Sequence, residues 1–201
     1  MSLTVKETGG GGAAAIEAGT YPARCVGVVD LGLQHNDFNN KDQEKVILIF
    51  ELPTERITVD GEDKPRWLSK QYTASLHEKS TLRQHLDAWR GKAFTPEELA
   101  GFDLRNVINA PCMLTITNSE KNGNTYANIK AVSKPMKGMS VAELENDPIL
   151  FDMDAEDAET VLQTIPAWMR DIVEKSPTWV SRQGGTTAME DGDEGDGSLP
   201  F

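Results

Sequence analysis

The chain has 201 residues, with 20 Lys+Arg against 32 Asp+Glu and a formal net charge of −12. That length suits one domain with tails. No apolar run approaches the roughly 20 residues of a bilayer-spanning helix. No basic-then-apolar signal pattern opens the chain either, so the expectation is a cytoplasmic protein with no membrane partner.

The charge is unevenly placed. Residues 1–139 hold 17 basic and 17 acidic residues, whereas residues 140–201 hold 3 and 15. The body is formally neutral, so any basic surface on it must come from clustering. The two cysteines, Cys25 and Cys112, have no metal-ligand spacing and read as buried small hydrophobes.

Taken in order, residues 1–18 form a flexible leader with Gly9 to Gly12 at its centre. Thr20 to Leu31 alternates as a strand, and Gly27 within it marks a bulge or bend. Gly32 to Glu44 is polar around Phe38 and reads as a loop. Lys45 to Leu52 is the strongest strand signal, ended by Pro53. Asp60-Gly61 is a turn, and Trp67 to Ser75 is a third strand. Ser80 caps a helix running through Arg90, with Leu82, Leu86 and Trp89 on one stripe and Gly91 as its stop. Thr95, Pro96 and Glu98 form a capping box for a short second helix.

Pro111 to Asn118 and Thr125 to Ser133 are strands joined by a hairpin at Asn122-Gly123. Beyond Pro135 the reading is a helical turn at Ser140–Glu145, then short acidic helices over Asp154–Gln163 and Pro166–Lys175. Trp168, Met169, Ile172 and Val173 give the last an apolar face that packs on the body; a dimer contact is its other use. Disorder is expected from Ser181.

The predicted order is three strands, a helix and two strands. This is the order of an OB-fold, a five-stranded Greek-key barrel with a helix between strands 3 and 4. The division is then 1–18 leader, 19–139 OB-fold-like domain, 140–180 helical extension and 181–201 tail. In that barrel the first and fourth strands lie side by side, which makes Cys25 and Cys112 unbonded neighbours.

OB-folds bind strands across strands 2–3, flanked by the loops joining strands 1–2 and 4–5. Single-stranded nucleic acid needs cations along its backbone and rings under its bases. Lys64, Arg66, Trp67, Lys70 and Tyr72 interleave the two within nine residues. Alternation puts Trp67 and Tyr72 on opposite faces. Tyr72 is favoured as the stacking ring, because Lys70 shares its face and a lysine does not belong inside a barrel. Phe38 and Lys41 lie in the first loop, and Lys121 in the strand 4–5 hairpin. Tyr126 and Lys130 share a face, and Arg24 and Lys45 complete the cation set.

Enzyme readings find no support. His35, His77 and His85 make no ligand spacing, and no phosphate loop, nucleophile elbow or HExxH is present. Neither catalysis, nor a metal, nor a cofactor is expected.

The last thirteen residues carry five carboxylates and three glycines, and then an apolar hook. Asp193, Glu194 and Asp196, with Glu190 and Asp191 upstream, lead to Leu199, Pro200 and Phe201. This ending resembles the acidic tip of bacterial and phage single-stranded DNA-binding proteins; Gly197 and Ser198 depart from the bacterial pattern. An OB-like body followed by such a tip resembles a phage-encoded version. The resemblance implies non-sequence-specific single-stranded DNA binding during phage DNA replication or recombination in the bacterial cytoplasm. It also implies that the tip recruits replication or recombination proteins. The alternatives are an OB-like protein-interaction or virion-assembly module without DNA affinity, and a recombination mediator or helicase loader. Oligomeric state is open.

Overall fold

The structure, a computed structural model, describes residues 14–36 and 40–186. Three long strands come first: β1 (Gly19–Asn36), β2 (Lys41–Val59) and β3 (Glu62–Thr73). They are followed by α1 (Thr81–Arg90), α2 (Pro96–Ala100) and a 3-10 turn at Leu104–Val107. Then come β4 (Pro111–Lys121) and β5 (Asn124–Ser133). A short β6 (Ile149–Phe151) and helices α3 (Ala158–Leu162), α4 (Ala167–Glu174) and α5 (Pro177–Thr186) complete the chain.

The sheet order is β3-β2-β1-β4-β5, antiparallel throughout, with β6 added in parallel to β1. This is the expected OB-like barrel: mainly β, five-stranded and nearly closed. Its two end strands, β3 and β5, meet across a seam without a ladder. The strands run longer than their apolar cores predict. Residues 32–36 and 41–44 continue as a two-stranded ribbon beyond the barrel, as do 56–59 and 62–65. No apolar alternation marks residues 34–36 and 41–44, whereas Ile57 and Val59 alternate with Arg56 and Thr58 and already extend the second hairpin in the sequence.

A bulge between Cys25 and Gly27 changes the phase of β1. Ala23, Cys25 and Val28 therefore face the barrel interior, while Val26, Val29 and Leu31 face outward. The sequence marks this irregularity at Gly27, although strict alternation would leave Gly27 and Val29 on one face with Ala23 and Cys25. Gly27 has a second role. A Cβ there would meet Ile49 Cδ1 at 2.9 Å and Ile149 Cβ at 3.3 Å, so its absence lets β6 approach.

Two cores result. Inside the barrel, Val46, Leu48, Phe50 and Leu52 of β2 pack against Leu114, Ile116 and Ile129. Helix α1 closes this core with Leu82, Leu86 and Trp89 and ends on Gly91 in the left-handed conformation, φ 69°. Ile16, just before β1, is buried in the same core. The second core lies on the outer face of β1 and β2. There Val26, Val29, Leu31, Ile47 and Ile49 meet Phe151, Met153, Leu162, Met169, Val173 and Trp179 of the C-terminal extension. Each fully buried side chain of this kind stabilises by about 1.5–3 kcal/mol. The extension is therefore an integral layer of the fold.

Three local expectations are corrected. Residues 140–145 are not helical, because Arg24 binds the carbonyls of Val141 and Ala142 that a helix would use. The acidic segment from Asp154 turns helical only at Ala158. The chain does not lose structure at Ser181: Pro177 opens α5, and buried Trp179 holds it against Phe151. The capping box at Thr95 and Glu98 is formed as read. Cys25 and Cys112 are buried, free and on adjacent strands. Among the described residues no helix is long and apolar enough to cross a membrane.

Candidate nucleic-acid interface

The outer face of an OB barrel is where a strand would lie, and in this chain much of it is already covered. The second core occupies the outer face of β1 and the middle of β2. What remains open is the far end of β2 and β3, the β3–β5 seam and the β4–β5 hairpin.

Several predicted residues are engaged elsewhere. Arg24 donates to Ala142 O at 2.6 Å, Asn109 O at 2.7 Å, Val141 O at 3.0 Å and Glu143 Oε1 at 2.7 Å. Its role is to fasten the segment after the barrel, not to meet a phosphate. Trp67 packs against the second core and donates its indole N–H to Glu51 Oε2 at 3.3 Å. Arg66 donates to Ala14 O at 2.8 Å, and Lys64 pairs with Glu62 at 2.7 Å.

Tyr72 corrects the preferred stacking ring. It is 3% exposed, inside the barrel core, with its hydroxyl on His85 Nδ1 at 2.9 Å. The premise that Lys70 excludes this face from the interior fails at the seam. There a lysine stem lies against the core while its ammonium reaches out, donating to Ile129 O at 3.0 Å and lying 5.8 Å from the Tyr72 ring centroid.

The other predicted residues stay available. Lys41 stands at the exposed start of β2. Lys121 stands at the tip of the β4–β5 hairpin, where Asn122 and Gly123 both have positive φ, as a type I′ turn requires. Lys130 is exposed on β5. Tyr126 is half-buried on the same strand and is the one Phe, Tyr or Trp ring among the described residues that belongs to neither core. Phe38 and the tail residues Asp193, Glu194, Asp196, Leu199, Pro200 and Phe201 lie outside the described residues.

The open end of β2–β3 forms a cleft of about 540 Å³ that the sequence does not reveal. Its walls include Gln43 and Lys45 from β2, Gln71 and Thr73 from β3, and Ser75, His77, Lys79, Ser80 and Thr81 from the turn entering α1. Lys45 Nζ is steered by two neutral acceptors, Gln43 Oε1 at 3.0 Å and Thr73 Oγ1 at 2.8 Å. The turn is braced internally. Ser75 Oγ accepts from the His77 N–H at 3.2 Å, and His77 Nδ1 accepts from the Lys79 N–H at 3.2 Å. That second bond leaves His77 Nε2 as the ring's N–H donor. Ser80 makes no side-chain cap, so the first turn of α1 is open at the cleft. The clue in the sequence is Ser75, His77 and Lys79 at alternate positions before a cap, a pattern too short to read without the fold.

Charge separates the arginines from these lysines. Arg24, Arg56, Arg90 and Arg105 pair with carboxylates. Among the described residues no carboxylate lies within ion-pair distance of Lys41, Lys45, Lys70, Lys79, Lys121 or Lys130. Burial, then the neighbouring Lys130 ammonium, hold Lys70 below the usual lysine range. Burial does the same to Lys45. The neutral body thus carries unneutralised cations on β2, β3, β5 and their connecting turns. No group of three or more candidate metal ligands occurs among the described residues.

No family model, no curated protein and no solved structure matches the chain.

Proposed function

We propose that the protein binds single-stranded DNA without sequence specificity, along a path over the open end of β2–β3, the β3–β5 seam and the β4–β5 hairpin. One observation carries the reading. The OB-like barrel pairs its arginines internally while Lys41, Lys45, Lys70, Lys79, Lys121 and Lys130 are left without ion pairs among the described residues. Such cations follow a phosphate backbone, and Tyr126, between Lys121 and Lys130 on the hairpin, offers a ring for a base.

The setting we propose is phage DNA replication or recombination in a bacterial cell. The acidic tip ending Leu199-Pro200-Phe201 recruits partner proteins there. This part rests on the resemblance of the tail and body together. The test is a fluorescence titration of the full chain with oligo-dT and with a duplex of equal length. Saturable binding that favours the single strand supports the reading. No binding to either favours an OB-like protein-interaction module.

A further inference from the structure

We propose that the cleft between the end of β3 and the start of α1 is a phosphate subsite. It rests on the single-strand reading above and deepens it, because it names where the backbone is gripped and by what.

The donors converge on one cavity from three elements. Lys45 comes from β2, where Gln43 and Thr73 steer its ammonium with neutral oxygens and leave its charge uncancelled. Lys79 and His77 come from the braced turn, and His77 presents Nε2–H because its Nδ1 is already an acceptor. Gln43, Gln71, Thr73 and Ser75 add neutral amides and hydroxyls. Among the described residues no aspartate or glutamate lines the cavity; of its two rings, Tyr72 is buried in the barrel core and His77 turns a ring N–H donor to it. A phosphate ester finds cations, N–H donors and hydroxyls, the chemistry its oxygens take.

The cavity is also braced as a binding site has to be. The turn 75–80 is fixed by Ser75 Oγ, His77 Nδ1 and the bond from the Ser80 N–H to His77 O at 2.8 Å. Lys45 and the His77 ring are therefore positioned before the ligand arrives, which lowers the ordering cost of binding. Tyr126 lies on another strand, on the β4–β5 hairpin. The strand path then has two unlike stations: one takes a base by stacking, the other takes the backbone and ignores base identity.

The same phosphate chemistry has two sources, an internal phosphodiester or a terminal phosphate. The test uses the full chain and watches the amide signals of Thr73, Ser75, His77, Lys79 and Thr81 by NMR. The probes are oligo-dT with and without a 5′-phosphate, and inorganic phosphate. Lys79→Met and Gln71→Glu are the main variants, since both side chains are at the surface; Lys45→Met is the third. With oligo-dT the cleft amides should shift and saturate together with binding. Each of the first two variants should weaken oligo-dT roughly tenfold at low salt, and Lys79→Met should reduce the salt slope by about 0.7. Equal effects on both oligonucleotides assign the site to an internal phosphodiester, and an effect confined to the 5′-phosphorylated one assigns it to a strand end. If oligo-dT binds while the cleft amides and both variants are unaffected, the subsite is wrong and the single-strand reading stands. If inorganic phosphate shifts the cleft amides but oligo-dT does not bind, the subsite stands and the single-strand reading falls. Silence to all probes overturns both.

Discussion

Lys70 Nζ donates to the carbonyl of Ile129 at 3.0 Å, across the seam where β3 and β5 meet without a ladder. A side chain thus makes a connection that backbone pairing makes elsewhere in the barrel. Lys70→Met keeps the apolar stem but leaves the Ile129 carbonyl without this donor. The expected loss is about 1–3 kcal/mol of stability. Urea unfolding should show a lower midpoint at an unchanged slope. An unchanged midpoint would mean that the seam does not depend on Lys70.

Glu51 is 1% exposed, and its carboxylate collects three donors: the Glu145 N–H at 2.8 Å, Asn146 Nδ2 at 2.6 Å and Trp67 Nε1 at 3.3 Å. With Arg24 it ties residues 141–146 to the barrel. Glu51→Ala strands buried donors and should cost about 3 kcal/mol. Limited proteolysis should then cut first within 140–148, and cleavage elsewhere would contradict the fastening role.

His85 sets a pH dependence. Burial, then the nearby Lys70 ammonium, hold its imidazole below the ordinary value, against a smaller opposing effect from the Lys130 backbone. Between that lowered value and about 6.5, the ordinary histidine value, the unfolded chain binds more protons than the folded one. The stability from neutral His85 is complete above about pH 6.5 and is lost as pH falls through the folded value. Thermal midpoints at pH 7.5 and 5.5 should fall further in the wild type than in His85→Gln. Asp30 and Glu44, both raised chiefly by burial, titrate in both proteins and cancel in the comparison. Equal falls would remove His85 from the balance.

Tyr126→Ala should weaken oligo-dT binding by about 1–3 kcal/mol, the scale of one stacked base, with little change in thermal midpoint. Tyr72→Phe should do the reverse, since its hydroxyl holds His85 inside the fold. If Tyr72→Phe alone weakens DNA binding, the path over the barrel is misplaced.

Removing residues after Thr186, where α5 ends, takes away five carboxylates. If the tail competes with DNA for the cations on the body, truncation tightens oligo-dT binding, most strongly at low salt. Equal affinity with and without the tail, at low salt, would sink the competition.

The barrel was legible because its signals are local. Val46 to Phe50 is a continuous apolar run buried on both faces, Ser80 to Gly91 has both helix ends, and Asn122-Gly123 fixes a hairpin. The charge split was legible by counting. The site was only partly so. Trp67 and Lys70 lie three positions apart on one strand, yet one is captured by a buried carboxylate from β2 and the other by a carbonyl from β5. Neither partner is near in the chain, so composition cannot reveal the capture. Three-residue β6 and the cleft wall at His77 and Lys79 escaped for the same reason: each is defined by what packs against it.

The central claim is that unpaired lysines on an OB-like barrel grip single-stranded DNA. Its most direct test is an oligo-dT titration of the full chain repeated over a range of salt. The claim predicts a log-log slope near −0.7 for each phosphate contacted, steeper than about −2 overall, and weaker binding to a duplex. A flat salt dependence, or equal affinity for duplex and single strand, would contradict it.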